Sequence, residues 1–107
     1  MTTSRLDNFR AMVAKNPGNA LARYGLANEL LKAQLWEEGA EQLRAYLASH
    51  EDEGNAYGRL AEACVALGRL DEAKDALRRG IAASERFGHP GMANELSGRL
   101  EDLEDSA

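Results

Sequence analysis

The side chains that most often carry out catalysis or bind metals are few in this sequence and far apart. The only cysteine is Cys64, and the only histidines are His50 and His89. Neither histidine belongs to an H-E-x-x-H or H-x-x-E-H pattern, which places zinc ligands on one helix face. A single cysteine also excludes an internal disulfide and a cysteine-based zinc cluster. We therefore predict no catalytic residue, no cofactor and no metal site, and we expect a protein that is not an enzyme.

The remaining polar residues also lack the spacing that chemistry requires. The glycines lie scattered at predicted turns and helix contacts, so they form no phosphate-binding loop. Cys64 falls on the apolar side of a predicted helix, where we expect an inert, packed thiol. The acidic residues fall at helix starts and on exposed faces, where they are solvated.

Charge and hydropathy narrow the classes of partner. Eighteen acidic and 13 basic residues give a net charge of -5, which argues against nucleic acid because phosphates require a basic patch. No apolar stretch approaches the roughly 18 residues of a membrane span, and the first residues lack the apolar segment of a signal peptide. We expect a cytoplasmic protein with no nucleic-acid and no membrane partner.

Six helical segments must position whatever site the chain has. Helix-forming residues dominate, the only prolines are Pro17 and Pro90, and no segment alternates like a strand. Ser4 and Asn19 are suited to cap helix starts, and Gly68 is suited to end a helix. The predicted helices cover residues 4–15, 20–33, 35 or 36–49, 55–67, 70–84 and 91–103, and short connections make neighbours antiparallel.

The apolar residues of these segments recur with a period of 34. Matching pairs at this spacing include Ala22 with Ala56, Leu26 with Leu60, Ala27 with Ala61, Leu43 with Leu77 and Arg44 with Arg78. The first segment continues the register backwards, since Phe9-Arg10 aligns with Leu43-Arg44, and we expect Leu6, Phe9, Met12 and Val13 on its apolar face. The first segment is therefore the second helix of a unit whose first helix is missing.

This pattern resembles the tetratricopeptide repeat family, in which two helices recur every 34 residues. In "NAYGRLAEACVALGRLDEAKDAL", Tyr57, Leu60 and Ala61 occupy the aromatic, leucine and small positions of the family pattern. In the preceding unit Arg23 replaces the leading aromatic residue and Gln34 replaces the turn glycine. The resemblance implies an all-α fold, a right-handed α-solenoid of antiparallel helix pairs. It also implies a single domain over residues 1–107, comprising a half unit 4–17, unit one 20–53, unit two 54–87 and a capping helix 90–104.

The resemblance further implies a function, a non-catalytic protein–protein interaction module. The first helices of the units would line a concave groove that takes a peptide or a helix of a partner protein. By alignment, the groove positions are Leu21, Tyr24, Asn28, Leu31, Lys32, Asn55, Gly58, Arg59, Glu62 and Val65.

Four of these groove positions are apolar or aromatic, and their role is open. Leu21, Tyr24, Leu31 and Val65 are not required by the predicted core stripes, so we expect them at the surface, with Tyr24 as the best anchor. The alternative is that the groove residues only cover neighbouring helices.

Self-association is the second candidate function. A short solenoid with open ends can stack end to end, or through Leu35, Trp36 and Phe87, to form a homodimer without another partner. Arg10, Arg44 and Arg78 recur at the period and are interpreted as exposed positions paired with nearby glutamates.

Overall fold

Residues 4–106 form six α-helices, as the sequence predicts. In the computed structural model, which describes residues 4–106, the helices are α1 Arg5–Lys15, α2 Ala20–Lys32, α3 Trp36–Ser49, α4 Asn55–Ala66, α5 Leu70–Arg86 and α6 Pro90–Asp105. Each helix packs against the next in the chain, and α2 also contacts α4. This stepwise packing gives an elongated body of 47 × 28 × 19 Å, the solenoid expected for stacked helix pairs.

Polar side chains cap the starts of three helices. Ser4 accepts a hydrogen bond from the Asp7 amide at 3.1 Å, and Asn19 accepts one from the Ala22 amide at 3.1 Å, so both predicted caps are confirmed. The start of α4 is capped from the preceding loop, where the buried carboxylate of Asp52 accepts from the amides of Gly54 and Ala56 at 2.8 and 2.9 Å. These bonds satisfy amide groups that have no partner within the helix. The capping by Asp52 is not part of the sequence prediction.

Three helices end in the same left-handed turn. The turn residue is Gln34 after α2, Gly68 after α4 and Gly88 after α5, with φ of 61°, 74° and 75°. At each turn, its amide bonds to the carbonyl three residues back, and the following amide bonds to the carbonyl five residues back. Glycine adopts this backbone conformation without steric cost, whereas Gln34 carries a Cβ atom into it.

The core consists of two clusters of buried side chains. The larger runs from α2 to α6 around Leu43 and Leu77, which are 0% and 1% exposed, and the smaller joins α1 to α2 through Val13, Leu26 and Leu30. In α6, Leu96 is buried, and Met92, Leu100 and Leu103 pack partly buried against the larger cluster.

Two apolar side chains lie elsewhere than predicted. Leu31, expected at the surface, is only 4% exposed and belongs to the larger cluster. It fills the space left by Gly39 of α3, where a Cβ atom would lie 2.6 Å from Leu31 Cδ2. Met12, expected on the packed face of α1, is 47% exposed, where it lines a depression between α1 and α2.

Ion pairs link α1 to α3, α3 to α5 and α5 to α6. The period-matched arginines do pair with glutamates, but across helices instead of within one: Arg10 with Glu38, Arg44 with Glu72 and Arg78 with Glu104, at 2.7, 2.9 and 3.4 Å. Two of the three pairs span 28 residues and the third spans 26. We refer to these three pairs as the arginine–glutamate ladder.

Candidate protein-binding surface

A continuous furrow runs between α4 and α6. One depression is lined by α4 residues including Asn55, Arg59 and Glu62 and by Met92, Glu95, Leu96 and Arg99 of α6. A second is lined by Glu62 and Val65 of α4, by Arg99, Asp102 and Leu103 of α6, and by Ala61 and Leu77 beneath. Because Glu62 and Arg99 line both depressions, the two form one feature, which we call the α4–α6 furrow.

The furrow depends on one close helix contact. The guanidinium of Arg99 donates a hydrogen bond to the carbonyl of Gly58 at 3.0 Å. A Cβ atom on Gly58 would lie 3.0 Å from Arg99 Nη1 and 3.2 Å from Leu96 Cδ2, so a glycine at this position lets the α6 side chains lie against the α4 backbone. Arg59 and Glu62 form a loose pair on the exposed rim at 3.9 Å. The furrow therefore has one depression with a mainly polar and charged lining, beside Arg59 and Glu95, and one with a mainly apolar lining, beside Val65 and Leu103.

Aromatic residues connect α2 to the loop after α3. The rings of Tyr24 and Tyr46 lie 5.0 Å apart, and those of Tyr46 and His50 lie 4.9 Å apart. Burial raises the pKa of Tyr24, and the Asp52 carboxylate raises it further. The phenol therefore stays neutral near pH 7 and keeps its proton as a hydrogen-bond donor. Nearby on α2, Asn28 Oδ1 is enclosed and has no hydrogen-bond partner among residues 4–106.

In addition to the two depressions of the furrow, a third lies at the N-terminal end, between α1 and α2. It is lined mainly by apolar groups, namely Phe9, Met12, Leu21, Ala22, Tyr24 and Gly25, with Asn19 at one end. Phe9 packs closely against the α2 backbone at Gly25, where a Cβ atom would be 2.5 Å from Phe9 Cε1. We call the four large side chains of this depression, Phe9, Met12, Leu21 and Tyr24, the N-terminal patch.

The predicted groove residues are divided among these surfaces. Asn55, Gly58, Arg59, Glu62 and Val65 line the α4–α6 furrow. Leu21 and Tyr24 belong instead to the N-terminal patch. Lys32 is exposed and lines neither the furrow nor the patch. Leu31 is in the core, so its predicted surface position is wrong.

The α6 side of the furrow was missed from the sequence. Alignment at 34 residues assigned groove positions only to α2 and α4, because α6 does not repeat their residue types. The signal was nevertheless present, since Met92, Glu95, Leu96 and Arg99 follow the spacing of one helix face. Treating α6 as the first helix of a third unit would have placed these residues opposite α4.

The Cys64 thiol, the most reactive kind of side chain in the sequence, lines neither the α4–α6 furrow nor the N-terminal patch. The Cys64 thiol is 1% exposed, and its sulfur lies 3.8 Å from Glu72 Oε2. Burial raises the pKa of Cys64, so it stays protonated near pH 7, as a packed thiol does. Across residues 4–106, no three histidine, cysteine or acidic side chains are grouped so as to hold a metal ion. No helix in the same range has the length and apolar character needed to cross a bilayer.

These features define a small all-α solenoid. Residues 1–85 match the sequence profile of the family described as tetratricopeptide repeat. The chain belongs to the tetratricopeptide repeat family, as the resemblance predicted. The general role of this family is protein–protein interaction, and its members are generally non-enzymatic.

A comparison with solved structures supports the fold independently. The solution structure of protein BPP2914 from Bordetella parapertussis is similar, with a TM-score of 0.83. The alignment covers 98% of this chain and 91% of that one at 23% sequence identity, a likeness that concerns the fold alone. No curated protein matches the sequence.

Proposed function

We propose that this protein is a non-catalytic module that binds a peptide or helical segment of another protein on the face formed by α2, α4 and α6. The observation that carries the proposal is the α4–α6 furrow, which joins two depressions along the first helices of successive pairs. Stacked helix pairs generally use this extended inner surface for binding.

The furrow has the composition of a protein-recognition site. Val65 is 42% exposed on α4, and Leu103 of α6 lines the same depression, so an apolar side chain of a partner has a place to bury. Arg59 and Glu62 stand at the edge and can bond to the carbonyl and amide groups of an extended chain. Burial of a few apolar anchors supplies most of the affinity in such sites, while rim charges set orientation and on-rate.

The proposal is tested by selecting binding peptides from a random library and mapping the best one by NMR. We expect its chemical-shift changes to cluster on α4 and α6. Val65→Asn removes an apolar contact and should weaken binding by roughly tenfold, since burying a large aliphatic side chain contributes about 1.5–3 kcal/mol. Arg59→Glu should slow association, because it reverses a rim charge.

The matched control is Arg86→Glu, which reverses an exposed arginine at the end of α5 outside both furrow depressions. It should leave the affinity unchanged. Peptides that perturb other surfaces, or that bind Val65→Asn as well as the original chain, would count against the proposal. A concentration-dependent dimer that Val65→Asn disrupts would favour self-association as the function of this face.

A further inference from the structure

The N-terminal patch exposes more apolar surface than a closed end of a solenoid requires. Leu21 is 82% exposed and Met12 is 47% exposed. Phe9 is half-buried, packed against the backbone at Gly25 and against the smaller core cluster. Contiguous exposed apolar surface of this kind marks an interaction site.

The repeat explains why this surface is open. Phe9 occupies the position that Leu43 and Leu77 occupy in the following units, and those two leucines are 0% and 1% exposed. They are covered because α3 packs between α2 and α4, and α5 packs between α4 and α6. Helix α1 packs against α2 and also reaches α3 through the Arg10–Glu38 ion pair. The patch is therefore the place where the first helix of the incomplete unit would lie.

One residue of the patch does more than the fold requires. Leu21 aligns with Asn55 at the 34-residue spacing, and Asn55 is an exposed polar residue on α4. The opposite end of the molecule also has an exposed outer face without large apolar residues, with Gly91, Asn94 and Gly98 on α6. A leucine at position 21 thus adds apolar surface where the equivalent position of the next unit is polar.

Charge distinguishes the possible occupants. Residues 5–32 carry five basic and two acidic side chains, a net charge of +3, whereas residues 33–107 carry eight basic and sixteen acidic ones, a net charge of -8. Lys15 follows Met12 by three residues on α1, and Lys32 follows Leu21 by eleven on α2, so each lies on the same helix face as a patch residue. Neither lysine forms an ion pair within residues 4–106.

We infer that the N-terminal patch binds an amphipathic helix of a partner protein, with acidic residues beside its apolar stripe, at the position that the first helix of the unit containing α1 would occupy. A helix of about four turns matches α2, which has 13 residues. No residue lines both this surface and the α4–α6 furrow, although Tyr24 lies near Arg59 at the furrow's edge. A second copy bound end against end would bring two cationic hairpins together, and the acidic α6 of a second copy has its apolar side already packed in its own core.

The experiment uses two synthetic 16-residue helical peptides with the same apolar stripe, one flanked by glutamates and the other by lysines. Each is titrated against the full chain by calorimetry and by NMR at low salt. We expect the glutamate peptide to bind at least about tenfold more tightly, to lose affinity as salt is added, and to shift the amides of α1 and α2. Equal affinity, or tighter binding of the lysine peptide, would overturn the inference.

Two variants distinguish this surface from the furrow. Leu21→Asn copies the polar residue of the next unit and should weaken the glutamate peptide by about tenfold or more, because a leucine contact is lost. Val65→Asn changes an exposed residue of the furrow and should have no effect on this peptide. The reverse result would place the peptide in the furrow and leave the proposed function standing without this inference. Sedimentation of the chain alone tests whether a second copy of the chain occupies the patch. A dimer abolished by Leu21→Asn would overturn the inference.

Discussion

At its C-terminal end, this solenoid covers α5 with α6, which buries Ala93 and Leu96 and leaves Asn94 and Gly98 outside. At its N-terminal end, α1 buries only Val13 fully, and the neighbouring Leu21 is almost completely exposed. Both ends face the same requirement, because a repeat unit cannot bury its apolar side alone.

The difference between the ends separates stability from binding. A terminal helix with a polar outer face completes the core and keeps the end soluble. An end without such a helix keeps apolar surface available to a partner at a small cost in stability. We therefore expect substitutions at the C-terminal end to lower the stability of the fold. We expect substitutions at the N-terminal end to change mainly the affinity for a partner.

Truncating one leucine at each end tests the expected difference in stability most directly. Leu96→Ala should lower the free energy of unfolding by about 2–5 kcal/mol, because it leaves a cavity between α6 and the core. Leu21→Ala should change it by less than about 0.5 kcal/mol, because the side chain contacts little. Urea unfolding followed by circular dichroism measures both. Similar losses at the two ends would show that the N-terminal patch is part of the core.

The helix caps give a second, smaller test. Asp52→Ala removes two buried hydrogen bonds to the start of α4 and should cost about 1–2 kcal/mol. Asn19→Ala removes one bond to the start of α2, nearer the open end, and should cost about 1 kcal/mol or less. Thermal unfolding of both variants beside Asp52→Asn, which keeps an acceptor oxygen, separates the cap from a general effect of substitution. A cost for Asn19→Ala above that for Asp52→Ala would contradict this ranking.

The smallest expected effect concerns the turns. Gln34→Gly should stabilise the first unit by about 0.5–1 kcal/mol, because glycine adopts the left-handed turn without the strain of a Cβ atom. Gly68→Gln places the same strain in the second unit and should destabilise by about 1 kcal/mol. Denaturant midpoints of the pair would sharpen the comparison between the N-terminal and C-terminal halves. A loss of stability in Gln34→Gly would mean that the Gln34 side chain makes a contact worth more than the strain.

The sequence was sufficient to predict the six helices to within two residues at every end. Ser4, Asn19 and Gly68 mark helix ends by local hydrogen bonding and backbone preference, which act within a few residues of the chain. The period of 34 then predicted which helices stack, because neighbouring units must share one apolar interface.

What could not be predicted depends on contacts between distant helices. Leu31 is buried because Gly39 makes room for it, and neither residue alone indicates that pairing. Met12 follows the apolar pattern of α1 and is nevertheless 47% exposed, because that pattern does not show whether another helix packs over the side chain. Arg99 reaches α4 from outside the matched register, so alignment could not assign it to the furrow.

The arginine–glutamate ladder has a consequence for the length of such chains. Arg10 and Arg44 each reach forward by 28 residues to their glutamates, and that offset lies within one repeat. A duplicated copy of residues 20–53 would carry its own Glu38 and its own Arg44. Its Glu38 would pair with the arginine of the preceding unit, and its Arg44 would pair with the glutamate of the following unit. Gene duplication could therefore lengthen this protein by whole modules with every rung of the ladder still matched.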